Sequence, residues 1–304
     1  MKNSPRTAVL LSLVSLILIP VLCPAETTSE LVTGSAGAAV RISPGSPEQG
    51  DILLLTLDGV PAVREVVVNF LGRDLILRSS AEGGAPLAFV GVDFAQSPGP
   101  RRMRVEFRYA DGTRGTVLKT LFLRSRTFRS KRLQLPEQFV EPPPEALERI
   151  ARDSKLLAAV YAVLTPRWLG DGRFVVPHAG PMRNNFGERR ILNDRKKSVH
   201  AGLDIDAALG DPIVASNAGK VVLAEDLYYS GNTVILDHGL GVFTIYLHMS
   251  KLLVRTGDSV AKAAVLGEAG STGRSAGPHL HWAVKVFDSR VDPQALLRLP
   301  LDSL

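Results

Sequence analysis

Gly270-Ser271-Thr272-Gly273-Arg274-Ser275-Ala276-Gly277-Pro278-His279-Leu280-His281-Trp282 is the stretch on which the reading of this chain turns. Its three glycines make a flexible run that delivers the chain into His279-Leu280-His281-Trp282-Ala283-Val284-Lys285-Val286. Alternating apolar residues and β-branched valines there predict a strand. Residues two apart on a strand point to the same face, so His279 and His281 project into one space. Two histidines on one face do not by themselves make a site, and the rest of the chain must supply partners.

Working outward, the chain has six histidines. His200 stands in Val199-His200-Ala201-Gly202-Leu203-Asp204-Ile205-Asp206, followed at close spacing by two carboxylates. His248 stands in Thr244-Ile245-Tyr246-Leu247-His248-Met249-Ser250. A catalytic zinc takes three nitrogen or oxygen donors at about 2.0 to 2.2 Å and leaves a fourth position for water. His200, Asp204 and one member of the 279/281 pair supply such a set, with Asp206 as the rival carboxylate. In an extended strand, residues four apart lie roughly 13 Å from each other, too far to share one ion. Gly202 and the surrounding valine and isoleucine disfavour a helix, so a kink or bulge is expected at Ala201-Gly202. His238, in the turn His238-Gly239-Leu240-Gly241, reads as structural, and His178, beside Pro177, as non-catalytic.

His200-x-x-x-Asp204, Tyr246-x-His248 and Gly277-Pro278-His279-Leu280-His281 together resemble the signature of the lysostaphin/LytM-type zinc metalloendopeptidases, which cut peptide bonds in bacterial peptidoglycan. The similarity runs from Phe186-Gly187-Glu188-Arg189-Arg190 to Val291-Asp292-Pro293. It takes in Gly231-Asn232-Thr233-Val234-Ile235, Asp237-His238-Gly239 and Gly257-Asp258-Ser259-Val260. The resemblance implies His200, Asp204 and His281 as ligands of one Zn2+ per chain, with His248 and His279 as catalytic histidines around it. It also leads us to expect cleavage of a cross-link between D-alanine and a diamino acid rather than within a glycine bridge.

The chemistry this implies is hydrolysis by metal-activated water, in which one histidine takes a proton and the other serves the oxyanion or the leaving amine. Two other classes compete. One is a catalytically silent or regulatory wall-binding protein of the same fold, and the other a secreted zinc peptidase with a protein substrate. Retention of His200, Asp204 and His281 speaks against the first. Tyr246 is a candidate for shaping the substrate groove or for the core. Arg189, Arg190 and Asn193 are expected in a loop before His200, where the two arginines are candidates for pairing with carboxylates of wall peptides.

Composition sets the frame. The chain has 304 residues, 45% of them hydrophobic and 22% charged, with a single cysteine, which is enough length for two domains. Lys2 and Arg6 precede the apolar run Ala8 to Leu22 and then Cys23-Pro24-Ala25, the pattern of a signal peptide over residues 1–25. The run is shorter than the roughly 20 residues a bilayer span needs, so no stable span is expected in the mature chain. Leu22 before Cys23 and Pro24 after it argue against lipidation. This places the protein in the periplasm or cell envelope, or outside the cell. The formal net charge of +6 owes much to arginines between Arg101 and Arg132 and favours anionic partners. Peptidoglycan fits that balance, and nucleic acid does not, because no recognition helix or stacking motif is present.

The expected fold is mainly β. Residues 30–130 read as an immunoglobulin-like β-sandwich, with strands Asp51 to Leu57, Arg64 to Leu71, Asp74 to Arg78, Leu87 to Phe94, Arg102 to Tyr109 and Thr116 to Leu123. Met103, Val105, Phe107 and Tyr109 alternate with charged residues, and Asp111-Gly112 signals a hairpin. Residues 131–166 read as a proline-rich linker and an amphipathic helix from Glu145 to Leu164, its apolar stripe formed by Leu147, Ile150, Leu157, Val160, Tyr161 and Leu164. That helix is expected to dock on the following domain, the alternative being occlusion of its groove. Residues 167–304 read as an antiparallel β metallopeptidase domain, with Thr233 to Asp237 and Val242 to His248 as a hairpin.

Overall fold

The computed structural model describes residues 28–57, 63–78 and 87–301. The expected signal peptide and Cys23 lie outside the described residues. Among those described, no helix is long and apolar enough to cross a membrane.

Alternation builds the front of the molecule. Two four-stranded antiparallel sheets form, one in the order Glu30–Thr33, Ala39–Ser43, Ile52–Leu57, Leu87–Gly91 and the other Arg73–Arg78, Val63–Phe70, Gly99–Tyr109, Arg114–Leu123. Val40, Ile42, Leu53 and Leu55 of the first share a core with Val66, Val68, Phe107 and Leu121 of the second, which makes a sandwich. The first two strands escaped the sequence pattern. They are only four and five residues long, too short for alternation to stand out.

The segment after the sandwich is more than a spacer. Ser130–Leu133 pairs in parallel with Arg189–Leu192, which in turn pairs antiparallel with Lys196–Val199. Arg126 anchors this crossing: it forms an ion pair with Asp292 at 2.7 Å and lies 5.7 and 5.6 Å from the ring centroids of Phe128 and Phe186. Gly187 permits that approach. Its φ is +72°, and a Cβ there would sit 2.2 Å from Phe128 Cδ1.

A helix over Pro144–Ala162 follows, with proline at its first turn. Leu156, Leu157, Val160 and Tyr161 cover Leu223, Leu227, Ile235 and Phe243 on the outer face of the large sheet. The ends of the expected stripe, Leu147 and Leu164, are exposed; the helix stops at Ala162, so Leu164 lies beyond it, and the first half meets the sheet through the ion pair of Arg149 with Asp226 rather than through apolar residues.

The remaining chain forms a seven-stranded antiparallel sheet in the order Gly202–Ile205, Leu280–Val286, Val242–Met249, Gly231–Asp237, Gly219–Leu227, Ser259–Val260, with Ser289–Val291 also pairing on Leu280–Val286. Its inner face carries Leu203, Val221, Val234, Tyr246, Trp282 and Val284, and Ile52, Leu54 and Phe89 of the sandwich enter the same core. The two halves are therefore packed together through continuous apolar contact rather than strung on a flexible tether.

Candidate metal centre and its groove

The antiparallel register of Gly202–Ile205 on Leu280–Val286 places Asp204 directly opposite His281, and Leu203 opposite Trp282. Opposed residues share a face. Leu203 and Trp282 take the core side, so Asp204 and His281 emerge together on the other. His200 joins them because the chain leaves the Lys196–Val199 strand at His200-Ala201 before re-entering the sheet at Gly202. The predicted break is thus present, but Gly202 serves it by allowing close approach rather than by an unusual φ. A Cβ on Gly202 would lie 2.6 Å from His281 Nε2 and 2.6 Å from the Trp282 carbonyl oxygen.

His200 Nε2, Asp204 Oδ1 and His281 Nδ1 lie 2.8 to 3.0 Å from one another. The His200 Nδ1–H donates to the Asn185 carbonyl at 2.9 Å, which leaves Nε2 as a bare lone pair aimed at the carboxylate. At least two of the three facing atoms are acceptors, an arrangement that repels itself unless a cation sits among them. Bonds of about 2.1 Å to a tetrahedral ion would set such donors about 3.4 Å apart. The donor set and its spacing fit a metal of the zinc type, with its fourth side open to the groove. Asp206, the rival carboxylate, turns away and binds Arg183.

Asn185 holds the carboxylate. Its amide donates to Asp204 Oδ2 at 2.8 Å and its Oδ1 accepts from the Asp204 backbone N–H at 3.1 Å. Arg190 adds a long contact of 3.5 Å to the same Oδ2 while its Nε donates to Glu188 at 2.8 Å. Arg189 and Arg190 lie on a strand, not in a loop, and Arg190 is directed inward to acids of this chain. Asn193 is a turn residue whose side chain bonds the Leu135 backbone, away from the centre. The sequence reading missed Asn185, whose only signal was its place just before Phe186-Gly187.

Burial by itself would raise the Asp204 pKa, but hydrogen bonds and charge from His200 and His281 overcome it and hold the carboxyl well below the usual range. Burial lowers His281 to about 4, and burial with the neighbouring His281 and His279 lowers His248 to about 3. Both imidazoles are therefore neutral at neutral pH, the form that offers a lone pair.

His248 reaches the groove by a local departure from its strand. Tyr246 opposes Trp282 and Leu247 opposes His281, so regular alternation would send His248 to the core with Tyr246. A register shift between Asn232 and Val234 and a φ of +64° at His248 turn it back to the His281 side. Its Nδ1–H donates to the Thr272 carbonyl at 2.8 Å, and its ring lies 5.1 Å from that of His279 and 6.0 Å from that of His281. The His279 Nδ1–H donates to the Gly277 carbonyl at 2.8 Å, and its Nε2 lies 3.6 Å from Asp204 Oδ1. Tyr246 is accordingly a core residue and not part of the groove. Fully buried, its hydroxyl accepts from the Ser216 N–H at 2.8 Å and touches Thr244 Oγ1 at 2.9 Å. Thr244 also meets His238 Nε2 at 2.7 Å, so His238 belongs to this internal network. His178 lies apart, against Asp211.

The five residues His200, Asp204, His248, His279 and His281 open into one groove of about 590 Å³. Arg129, Lys131, Leu133 and Leu135 line it too, so the segment after the sandwich supplies part of its wall. No residue of the Pro144–Ala162 helix lines it.

Residues 198–293 match peptidase family M23. A crystal structure from Pseudomonas aeruginosa described as a peptidase M23 is similar with a TM-score of 0.62 at 30% identity, covering 83% of this chain and 95% of that one. The chain belongs to peptidase family M23.

Among curated M23-like relatives, the peptidoglycan DD-endopeptidase ShyA of Vibrio cholerae is 37% identical over 115 residues, 38% of this chain and 27% of that protein. The DD-carboxypeptidase/endopeptidase Mpg of Neisseria meningitidis is 38% identical over 95 residues, 31% of this chain and 22% of that protein. The match thus spans about a quarter of the length of these curated relatives. All five groove residues named above fall within the M23 match, whereas Asn185, Arg190 and the Ser130–Leu133 wall precede it.

Proposed function

We propose that this M23 chain is a zinc-dependent endopeptidase that hydrolyses peptide cross-links of bacterial peptidoglycan in the cell envelope. The observation that carries the reading is the convergence of three ligand atoms, at least two of them acceptors, within 3.0 Å of one another, beside two further imidazoles on the open side. His200, Asp204 and His281 are the ligands, and His248 and His279 the catalytic histidines. The names of the relatives support the wall as substrate.

Zinc in this set supplies a Lewis acid that activates water and polarises the scissile carbonyl. Asn185 and Arg190 fix the carboxylate from behind, and the Asn185 carbonyl fixes the His200 tautomer. His248 and His279 each commit Nδ1–H to a backbone carbonyl, which leaves Nε2 of each free to take a proton from water. Once protonated, the same atom donates to the tetrahedral oxyanion or to the departing amine. The sandwich and the segment after it hold one side of the groove in place.

The test is release of soluble fragments from purified peptidoglycan by the protein with zinc, with chelator, and as His281→Ala, with mass analysis of the products. Zinc-dependent release that the variant lacks supports the reading. Tight zinc binding without release from any peptidoglycan overturns it.

A further inference from the structure

The helix Pro144–Ala162 lines no part of the groove, yet one of its side chains is tied to a groove histidine through a single turn. Asp153 is 6% exposed. A carboxylate stays buried only when its oxygens are paired. Its Oδ1 accepts from Arg152 at 2.7 and 3.1 Å, and its Oδ2 accepts from the backbone N–H of Tyr228 at 2.8 Å. One helical turn earlier, Arg149 donates to the Asp226 carbonyl at 3.1 Å and to the Asp226 carboxylate at 2.8 Å. The Tyr228 hydroxyl donates to the Gln138 carbonyl at 2.7 Å, and its ring meets Phe139 with centroids 5.9 Å apart. The chain before the M23 match thus grips residues 226–228, where the strand Gly219–Leu227 turns towards Gly231–Asp237.

The other side of that turn supports His248. The Ser230 carbonyl accepts from the His248 N–H at 3.0 Å, and the Tyr229 carbonyl accepts from the Arg274 N–H at 2.8 Å. The Tyr229 ring lies 4.9 Å from the Arg274 guanidinium carbon. Thr272 accepts the His248 Nδ1–H on its carbonyl and the Asn232 N–H on its hydroxyl, at 2.8 and 2.9 Å. Gly231 lets the two segments touch: its φ is +62°, and a Cβ there would sit 2.2 Å from Thr272 Oγ1. Backbone and ring of His248 are therefore both held by this pair of segments. A φ of +64° is unfavourable for a residue with a side chain, so the conformation persists only while its surroundings impose it.

We propose that Asp153, with Arg149 beside it, is a positioning residue for catalysis: it fixes the 226–230 turn, and that turn holds the His248 ring beside the metal centre. The helix acts on the reaction without touching substrate. This rests on the peptidase reading of His248 and adds to it a residue outside the M23 match. Leu156, Leu157, Val160 and Tyr161 seat the helix on the sheet. Apolar contact is non-directional, whereas a hydrogen bond from a turn amide to a buried carboxylate sets a position.

The experiment uses the full chain with zinc. Turnover of a soluble cross-linked peptide dimer from peptidoglycan gives kcat and KM, and NMR hydrogen exchange reports the opening of single amides. Wild type is compared with Asp153→Ala, Asp153→Asn, Arg149→Ala and Leu157→Ala. Asp153→Ala lowers kcat roughly 10- to 100-fold with KM and zinc affinity unchanged, the range for a displaced acid–base group. Its His248 amide exchanges roughly tenfold faster, as loss of a hydrogen bond to a charged group implies, while the Ile245 amide in the same strand keeps its rate. Asp153→Asn keeps an oxygen for the Tyr228 N–H and restores most of both. Arg149→Ala moves both in the same direction by less, and serves if Asp153→Ala does not fold. Leu157→Ala lowers the melting temperature but leaves kcat and the ratio of His248 to Ile245 exchange as in wild type.

If wild type cleaves the dimer and neither Asp153→Ala nor Arg149→Ala frees the His248 amide selectively, the positioning role is overturned and the peptidase reading stands. The same holds if the amide is freed but kcat does not fall. If wild type cleaves nothing while these variants still free the His248 amide and not that of Ile245, the hold on His248 stands and the peptidase reading falls. Absence of both cleavage and selective exchange overturns both.

Discussion

Asn185→Ala isolates what holds the metal carboxylate in place. The substitution removes the amide that donates to Asp204 Oδ2 at 2.8 Å and the oxygen that accepts from the Asp204 N–H at 3.1 Å. It keeps the backbone carbonyl that orients His200, so the two imidazoles are left as they were. Arg190 cannot take over, because its 3.5 Å contact is at the limit of a hydrogen bond and its Nε is engaged by Glu188. A lost hydrogen bond to a charged group is worth about 1.5 to 3 kcal/mol, so zinc affinity should fall roughly 10- to 100-fold, the usual effect of removing a partner that orients a ligand. Competition for zinc against a chromophoric chelator measures this directly, with a thermal melt of the chelated protein to separate loss of affinity from loss of fold. A zinc Kd within about twofold of wild type, in a protein that melts normally, refutes the reasoning.

Tyr246→Phe strips the partner from a buried Ser216 N–H and should cost about 1 to 3 kcal/mol of stability while leaving wall hydrolysis unchanged; a selective loss of activity at unaltered stability would return Tyr246 to the groove. His238 is held near 4 by burial, below its ordinary value of 6.5. The unfolded chain therefore binds the extra proton first, and this stabilisation is complete above about pH 6.5 and is lost as pH falls towards 4, by about 3 kcal/mol at most. Denaturant titrations from pH 7 to 4 should show a shallower decline in His238→Gln than in wild type, and an unchanged slope would show that His238 is not the group responsible. A fragment beginning at Arg167 loses the Ser130–Leu133 wall and uncovers Leu223, Leu227, Ile235 and Phe243, each worth about 1.5 to 3 kcal/mol of burial. It should melt well below the full chain and hydrolyse less; higher activity at equal stability would mean that the front half inhibits the enzyme.

The sequence by itself determined which residues could make the centre. Alternation puts His279 and His281 of Gly277-Pro278-His279-Leu280-His281 on one face, and in His200-x-x-x-Asp204 the break that Gly202 allows is what brings two residues four apart within reach, while the period-two pattern likewise announced the mainly β fold. What only the tertiary structure decided depends on contacts between distant parts of the chain. Ser130–Leu133 finds its parallel partner at Arg189–Leu192, a pairing no local pattern encodes, and so a segment read as spacer became a wall of the groove. Tyr246 and His248 share one alternation, yet a register shift and a left-handed residue send one to the core and the other to the groove. Arg190 and Arg274 are the same residue type near the same site, and only burial and neighbours distinguish them. The first pairs with acids of its own chain, and the second stacks over the Tyr229 ring.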